Sequence, residues 1–173
     1  MTQLTTRVTA LTHNAEVRRV VARLIEPHAA LAGAAAAAAY AAEMYADIAV
    51  TGSKFDDVQL VESGIRGQQA RVPLLGMALH LANGAALGGL YHAVVEPRLG
   101  GPGWRRGIVF GMLFLGAVWP TTPLVDRVHP EIRRGHMPKL FAPVPFAQNV
   151  ARHLVFGAVL GALCSRWHAS QDQ

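Results

Sequence analysis

The sequence predicts an all-α fold, a bundle of four transmembrane helices, and three observations support this. First, 51% of the 173 residues are apolar and only 16% are charged, against roughly 25% in an ordinary soluble domain. Second, residues 72–95 and 107–125 contain no charged side chain, and each run is close to the roughly 20 residues that a spanning helix needs. Third, one apolar stretch occurs twice. A soluble bundle of buried helices is the alternative explanation of the same runs.

We predict the four spans at residues 28–49, 73–95, 107–125 and 147–167. The first is mostly alanine and carries two carboxylates near its end. In the third, the sequence Trp119-Pro120 should kink or end the helix. The fourth contains Arg152 in its first turns. Because a long basic side chain near a helix end can reach the headgroups, we expect Arg152 to extend to the membrane surface.

The N-terminal region, residues 1–27, is predicted to be a tail followed by an amphipathic segment. In residues 14–26 the apolar side chains recur with helical spacing and the arginines occupy the opposite face, and Asn14 is a suitable cap. The segment is either a helix lying in the membrane interface or an extension of the first span. The polar residues 1–27 before the first apolar run form a longer stretch than the n-region of a signal peptide, so no cleavage is expected.

An internal repeat divides the rest of the chain into two hairpins. Residues 80–90 (HLANGAALGGL) and 153–163 (HLVFGAVLGAL) agree at seven of eleven positions, at an offset of 73 residues. The offset predicts parallel repeats over 28–95 and 101–167, related by a pseudo-twofold axis along the membrane normal. Chance similarity in a chain rich in alanine, glycine and leucine is the alternative.

Small and polar residues recur at every fourth position of the second and fourth spans, on one face of each helix. Close backbone approach drives helix association in lipid, where apolar side chains gain nothing by leaving the tails. We therefore predict that the two stripes pack on each other and that Gly107 and Gly111 pack on the alanines of the first span. The predicted helix-packing residues are Gly76, Gly84, Gly88, Gly157 and Gly161.

Counting residues from the predicted span ends places Glu43, His80 and His153 at one depth, with Asp47 one turn nearer the surface. Ionisable groups inside a membrane are costly and usually paired, so these four residues form a candidate intramembrane polar cluster. The cluster is either a structural hydrogen-bonded group, a proton or substrate site in a transport path, or a metal site made by Glu43, His80 and His153. The sequence contains no recognisable catalytic motif, and no catalytic residue or cofactor is predicted.

The helix pattern His-x-x-x-Gly-x-x-x-Gly, the Trp-Pro turn and the abundance of alanine and arginine resemble small uncharacterised multi-pass membrane proteins of bacteria with GC-rich genomes. The resemblance covers the second to fourth spans and implies no activity. The predicted function is a non-enzymatic structural or accessory membrane component. The alternatives are a small transporter or channel that uses the Glu/His cluster, and a metal- or quinone-linked membrane enzyme.

The expected location is the bacterial cytoplasmic membrane, with the lipid bilayer as partner and a second copy or a larger membrane complex as a further partner. Nucleic acid is not an expected partner, because the basic residues are not interleaved with aromatic ones. Four spans would put eight basic residues on each side, so the positive-inside rule does not decide the orientation. Three arginines shortly before the first span favour cytoplasmic termini.

Overall fold

The computed structural model describes residues 15–171, with side chains up to residue 167, and every regular element in this range is a helix. A π-helical turn, Tyr91–Val95, and a 3-10 turn, Glu96–Arg98, extend α4, and a second 3-10 turn, Trp119–Thr121, joins α5 to α6. The helices of this range are α1 (Ala15–Leu24), α2 (Pro27–Thr51), α3 (Asp57–Arg66), α4 (Leu74–Leu90), α5 (Gly103–Val118), α6 (Thr122–Val128), α7 (Pro130–Arg133) and α8 (Pro143–Gln171).

Within residues 15–171, two helices are long and apolar enough to cross a membrane. They are α4 with its terminal turns, Leu74–Arg98, and α5 with α6, Gly103–Val128. The pair formed by α1 and α2, which meet at a bend of 42°, qualifies as a third if the two helices count as one span. The helices therefore suggest a membrane protein with two or three candidate spans. Although α8 has 29 residues, its composition leaves it outside this set.

Proline and glycine set the ends of the first long helix, which otherwise consists largely of alanine. Pro27 is the first residue of α2, where its missing N–H leaves no hydrogen bond unmade. Gly52 follows the helix with a φ of 70°, the left-handed conformation that glycine adopts without steric cost. Pro120 does not end the third predicted span. The chain passes through one 3-10 turn there and continues as α6.

Two helical hairpins form the bundle, α2 with α4 and α5 with α8, and α2 also packs along α8. In the first hairpin Gly33 meets Gly84 and Gly88, and in the second Gly107 meets Gly157. A Cβ atom on any of these glycines would collide with the backbone of the facing helix. Glycine is therefore what allows each hairpin to close.

The glycine stripes have other partners than the sequence led us to expect. The stripes of α4 and α8 do not pack on each other, because α2 and α5 each offer a small-residue stripe within the same hairpin. Gly107 and Gly111 contact α8 rather than the alanines of α2. Gly76, at the start of the α4 stripe, packs on the backbone of Val58 in α3.

The two long loops of the chain combine into one unit, here called the cap, which consists of α3, α7 and the connecting segments and packs against Val125 of α6. Its small apolar core contains Phe55, Ile132, Met137 and Leu140. His129 Nε2 donates to the carbonyl of Leu60 at 2.9 Å, which ties α3 to the start of α7. The cap thus covers the end of the bundle where α2 finishes and α4 and α8 begin.

The N-terminal helix α1 is exposed, with apolar side chains at Val17, Val21 and Leu24 open to the surroundings. Its 42° bend from α2 distinguishes it from a straight extension of that helix. The expected cap residue Asn14 lies outside the described residues.

Helices α4 and α5 are more widely spaced than the other neighbouring helices of the bundle. These helices make at most isolated contacts, whereas the end turns of α4 do reach α5. There the rings of Tyr91 and Phe110 are 5.5 Å apart. The α2–α8 interface therefore has no equally extensive counterpart between α4 and α5. We call this wider spacing of the two main chains the gap between α4 and α5.

Candidate functional site

The centre of the candidate site is Arg152, in α8, whose side chain is fully buried at 0% exposure. Its Nη1 donates to Asp57 Oδ2 at 2.8 Å, and its Nη2 donates to Asp47 Oδ2 at 3.2 Å. Nη2 also lies 3.1 Å from the Phe55 carbonyl oxygen, and Nε is 3.8 Å from Glu43 Oε2. We call Arg152, Glu43, Asp47 and Asp57 the arginine cluster.

The expectation that Arg152 extends to the membrane surface is wrong, and the reason is electrostatic. A buried guanidinium is tolerated only when its charge and its N–H groups are matched. Here α2 and the start of α3 supply three carboxylates, and the ring of Phe55 lies 4.6 Å from the guanidinium carbon. These partners stabilise the charge inside the protein, so the side chain does not need to reach the headgroups.

Polar contacts continue from the arginine cluster towards the cap. Gln148 Nε2 donates to Asp47 Oδ2 at 2.5 Å, and the Ser53 hydroxyl lies 3.4 Å from Gln148 Oε1. Ser53 and Gln148 both line a surface depression beside the cap. Hydrogen-bonded polar side chains therefore lead from the arginine cluster to the protein surface at this end of the bundle.

Tyr40 connects the arginine cluster to the two histidines of the repeat. Its hydroxyl donates to Asp57 Oδ2 at 2.7 Å and lies 3.1 Å from Asn149 Oδ1. Its ring is between the imidazoles, with centroid distances of 5.1 Å to His80 and 5.3 Å to His153. A single buried tyrosine thus touches both groups of ionisable residues.

Each histidine uses one ring nitrogen to bind a main-chain carbonyl. His80 Nε2 is 3.1 Å from the Ala37 oxygen, and His153 Nδ1 is 2.8 Å from the Asn149 oxygen. A carbonyl only accepts, so these nitrogens carry the protons. In the neutral rings, His80 Nδ1 and His153 Nε2 are then acceptors, and neither is hydrogen-bonded to another described residue.

Both histidines line a cavity of about 260 Å³ beneath the cap, which we call the histidine cavity. Its polar end contains Tyr40, Asn83 and Asn149 as well as the two imidazoles. Apolar and aromatic side chains from α5, α6 and α8 form the remaining wall, among them Leu115, Val118, Trp119, Val125 and Phe156. The cavity therefore combines a few polar groups with mainly apolar walls, as small-molecule sites usually do.

The four residues of the predicted polar cluster fall into two adjoining groups. Glu43 and Asp47 belong to the arginine cluster, and His80 and His153 line the histidine cavity, with Tyr40 between the groups. The hydrogen bonds of the imidazoles go to main-chain carbonyls. Within the part of the chain that the structure describes, no three His, Cys, Asp or Glu side chains are grouped to hold a metal ion.

Sequence reasoning missed Arg152, Asp57 and Asn149 as members of the site. A signal for Arg152 was present, because an arginine inside a predicted span normally has an acidic partner. Asp57 had no such signal. It begins a helix that the sequence pattern assigned to a loop, and its position beside Arg152 depends on how the cap folds onto the bundle.

Comparison with known proteins gives a family but no activity. Residues 26–173 match the family model described as "Family of unknown function (DUF6789)". No curated protein and no solved structure matches the chain significantly. The matched region contains both the arginine cluster and the histidine cavity.

Proposed function

Since the chain belongs to DUF6789, a family of unknown function, we propose from its geometry that it is a non-enzymatic, multi-pass membrane protein that binds a small lipid-soluble molecule. The observation that carries this proposal is the histidine cavity, where two imidazoles with unused acceptor nitrogens meet mainly apolar walls. The gap between α4 and α5 supports entry from the lipid side.

The proposal includes four spans, with α2 and α8 crossing the membrane beside α4 and α5. The main charge in the first half of α8 is Arg152, and its three carboxylate partners offset the cost of placing it in the membrane. Exposed apolar residues such as Leu74 and Leu113 support contact with lipid tails. We place the protein in a bacterial cytoplasmic membrane with both termini on the cytoplasmic side.

We also propose that the hairpins 28–95 and 101–167 arose by duplication. In both, a helix with small residues four apart packs on the repeated His-x-x-x-Gly-x-x-x-Gly helix. Gly33 against Gly84 and Gly88 in the first hairpin corresponds to Gly107 against Gly157 and Gly161 in the second.

Cysteine labelling tests the four spans. In a Cys164→Ser background, single cysteines replace Arg23, Lys54, Lys139 or Arg166, all of which are exposed. A membrane-impermeant maleimide is applied to intact spheroplasts. It should label both positions 54 and 139 and neither 23 nor 166, or the reverse, because the four-span arrangement puts the two pairs on opposite sides of the membrane. If positions 139 and 166 respond alike, α8 does not cross the membrane and the four-span arrangement fails.

Ligand binding is tested by filling the cavity. The variant that keeps Trp119 as its only tryptophan is placed in nanodiscs. It is titrated with the di-O-methyl ether of a decyl-substituted hydroquinone, and tryptophan fluorescence is recorded. Saturable quenching is expected because Trp119 lines the cavity. Leu115→Phe should abolish it by occupying the cavity, whereas Leu113→Phe, on the exposed face of the same helix, should not. Equal quenching in both variants would reject binding in the cavity.

A second candidate function, proton-coupled transport, is favoured by the continuity of polar groups. The contacts run from the cavity through Tyr40, Asp57, Arg152 and Asp47 to Gln148 at the cap. Because a guanidinium does not release its proton, Arg152 would position Asp57 and Asp47 in this path and would not carry a proton itself. In proteoliposomes carrying a pH-sensitive dye, this function predicts proton flux that Tyr40→Phe slows. Equal fluxes with and without protein would exclude it.

A further inference from the structure

We infer that the histidine cavity selects a lipid-soluble phenol or hydroquinone, whose hydroxyl groups donate to His80 Nδ1 and His153 Nε2. The inference rests on the proposed function and specifies the chemical class of its ligand. It concerns binding alone and involves no transfer of electrons.

The polar end of the cavity offers two imidazole acceptors, and the donors of Tyr40, Asn149 and both imidazoles are already engaged. The Tyr40 hydroxyl donates to Asp57, and the Asn149 amide Nδ2 donates to the Pro145 carbonyl at 3.2 Å. The N–H groups of both imidazoles are taken by main-chain carbonyls. The two other ring nitrogens keep free lone pairs, so a ligand that meets both of them must bring its own donors. The amide of Asn83, on the exposed side of the lining, can still donate or accept.

The charges near the cavity disfavour an anionic ligand. Asp57 lines the cavity, and Asp47 and Glu43 stand behind it, against the single cation Arg152. Three carboxylates around one guanidinium leave an excess of negative charge on this side. A carboxylate or phosphate headgroup would be repelled, whereas a neutral hydroxyl group would not.

An aromatic ring fits the shape and the lining of the cavity. A cavity of about 150 Å³ accepts benzene, so about 260 Å³ leaves room for a ring with substituents. Tyr40, Phe114, Trp119 and Phe156 offer ring faces and edges to it, in addition to the imidazoles. An attached alkyl tail would leave through the gap between α4 and α5 into the bilayer.

The experiment compares two ligands that differ only in their donors, a decyl-substituted hydroquinone and its di-O-methyl ether. Both are titrated into the nanodisc-embedded protein that retains Trp119 as its only tryptophan, under an inert atmosphere. We expect the hydroquinone to bind at least about tenfold more tightly, the upper range for one net hydrogen bond. Equal affinities would overturn the inference while leaving the proposed function intact. Binding of neither ligand would reject both.

Variants locate the effect in the two imidazoles. His80→Phe and His153→Phe should each reduce the preference for the hydroquinone while the ether still binds, which also shows that the cavity has kept its form. His136→Phe, in the cap and away from the cavity, should keep the full preference. If a variant fails to fold, the wild-type comparison of the two ligands still decides. A preference that survives both cavity variants would overturn the assignment to these nitrogens.

Discussion

Replacing Arg152 with methionine would remove the guanidinium and keep an unbranched apolar side chain. Asp57, Asp47 and Glu43 would then lose their only cation within the arginine cluster. Removing one partner of a buried ion pair typically costs about 3–5 kcal/mol. The side chains of Asp47 and Asp57 are each 19% exposed, so some water reaches them. We therefore expect a loss at the lower end, about 3 kcal/mol, in the free energy of unfolding.

Unfolding in detergent micelles, followed by circular dichroism, measures this loss. The double variant Arg152→Met with Asp57→Asn should recover part of it, because it removes the carboxylate closest to the missing charge. Arg166→Met, at an exposed position of the same helix, should change stability by less than about 0.5 kcal/mol. If the Arg152→Met protein is as stable as the wild type, or the double variant is less stable than the single one, the electrostatic account is wrong.

Two further predictions concern packing and pH. Gly157→Leu should lower the free energy of unfolding by at least about 1–3 kcal/mol, because Gly107 leaves no room for a side chain. Gly116→Leu should leave it unchanged, because the space around Gly116 is open. Thermal unfolding of the two variants compares these effects. In the cap, the hydrogen bond from His136 holds the pKa of Glu131 below its usual range. A lowered carboxyl pKa stabilises the fold at pH values above the usual carboxyl range, and this contribution is lost as the pH falls through the lowered pKa, below about pH 4. Acid unfolding can be followed by Trp119 fluorescence. Glu131→Gln should make the unfolding less dependent on pH in this range.

The long helices could be predicted from the sequence because their signal is local. The charge-free runs 72–95 and 107–125 correspond to the observed helices Leu74–Arg98 and Gly103–Val128. The glycine spacing also identified a face that makes close backbone contacts. Which helix it contacts depends on the three-dimensional arrangement, and the small-residue stripe of α2, which consists mainly of alanine, did not stand out within an alanine run.

The candidate site was only partly predictable because its contacts join distant parts of the chain. Glu43 and Asp47 were predicted to belong to an intramembrane polar cluster, but their cation, Arg152, was interpreted as a surface group. The cap was not predicted at all. Its core residues, such as Phe55 and Met137, stand singly among polar residues, prolines and glycines, so no periodicity marks them as buried.

The distance along the chain between Arg152 and its carboxylates has a consequence for biogenesis. Asp57 precedes Arg152 by 95 residues and Asp47 precedes it by 105, so the acidic groups emerge from the ribosome long before the arginine. The first hairpin can close through its own glycines, yet in the proposed four-span arrangement it would enter the bilayer with uncompensated carboxylates. The packing of α8 on α2 then brings Arg152 to these carboxylates. In the proposed four-span arrangement, a chain that lacks α8 therefore keeps these carboxylates inside the membrane without their cation.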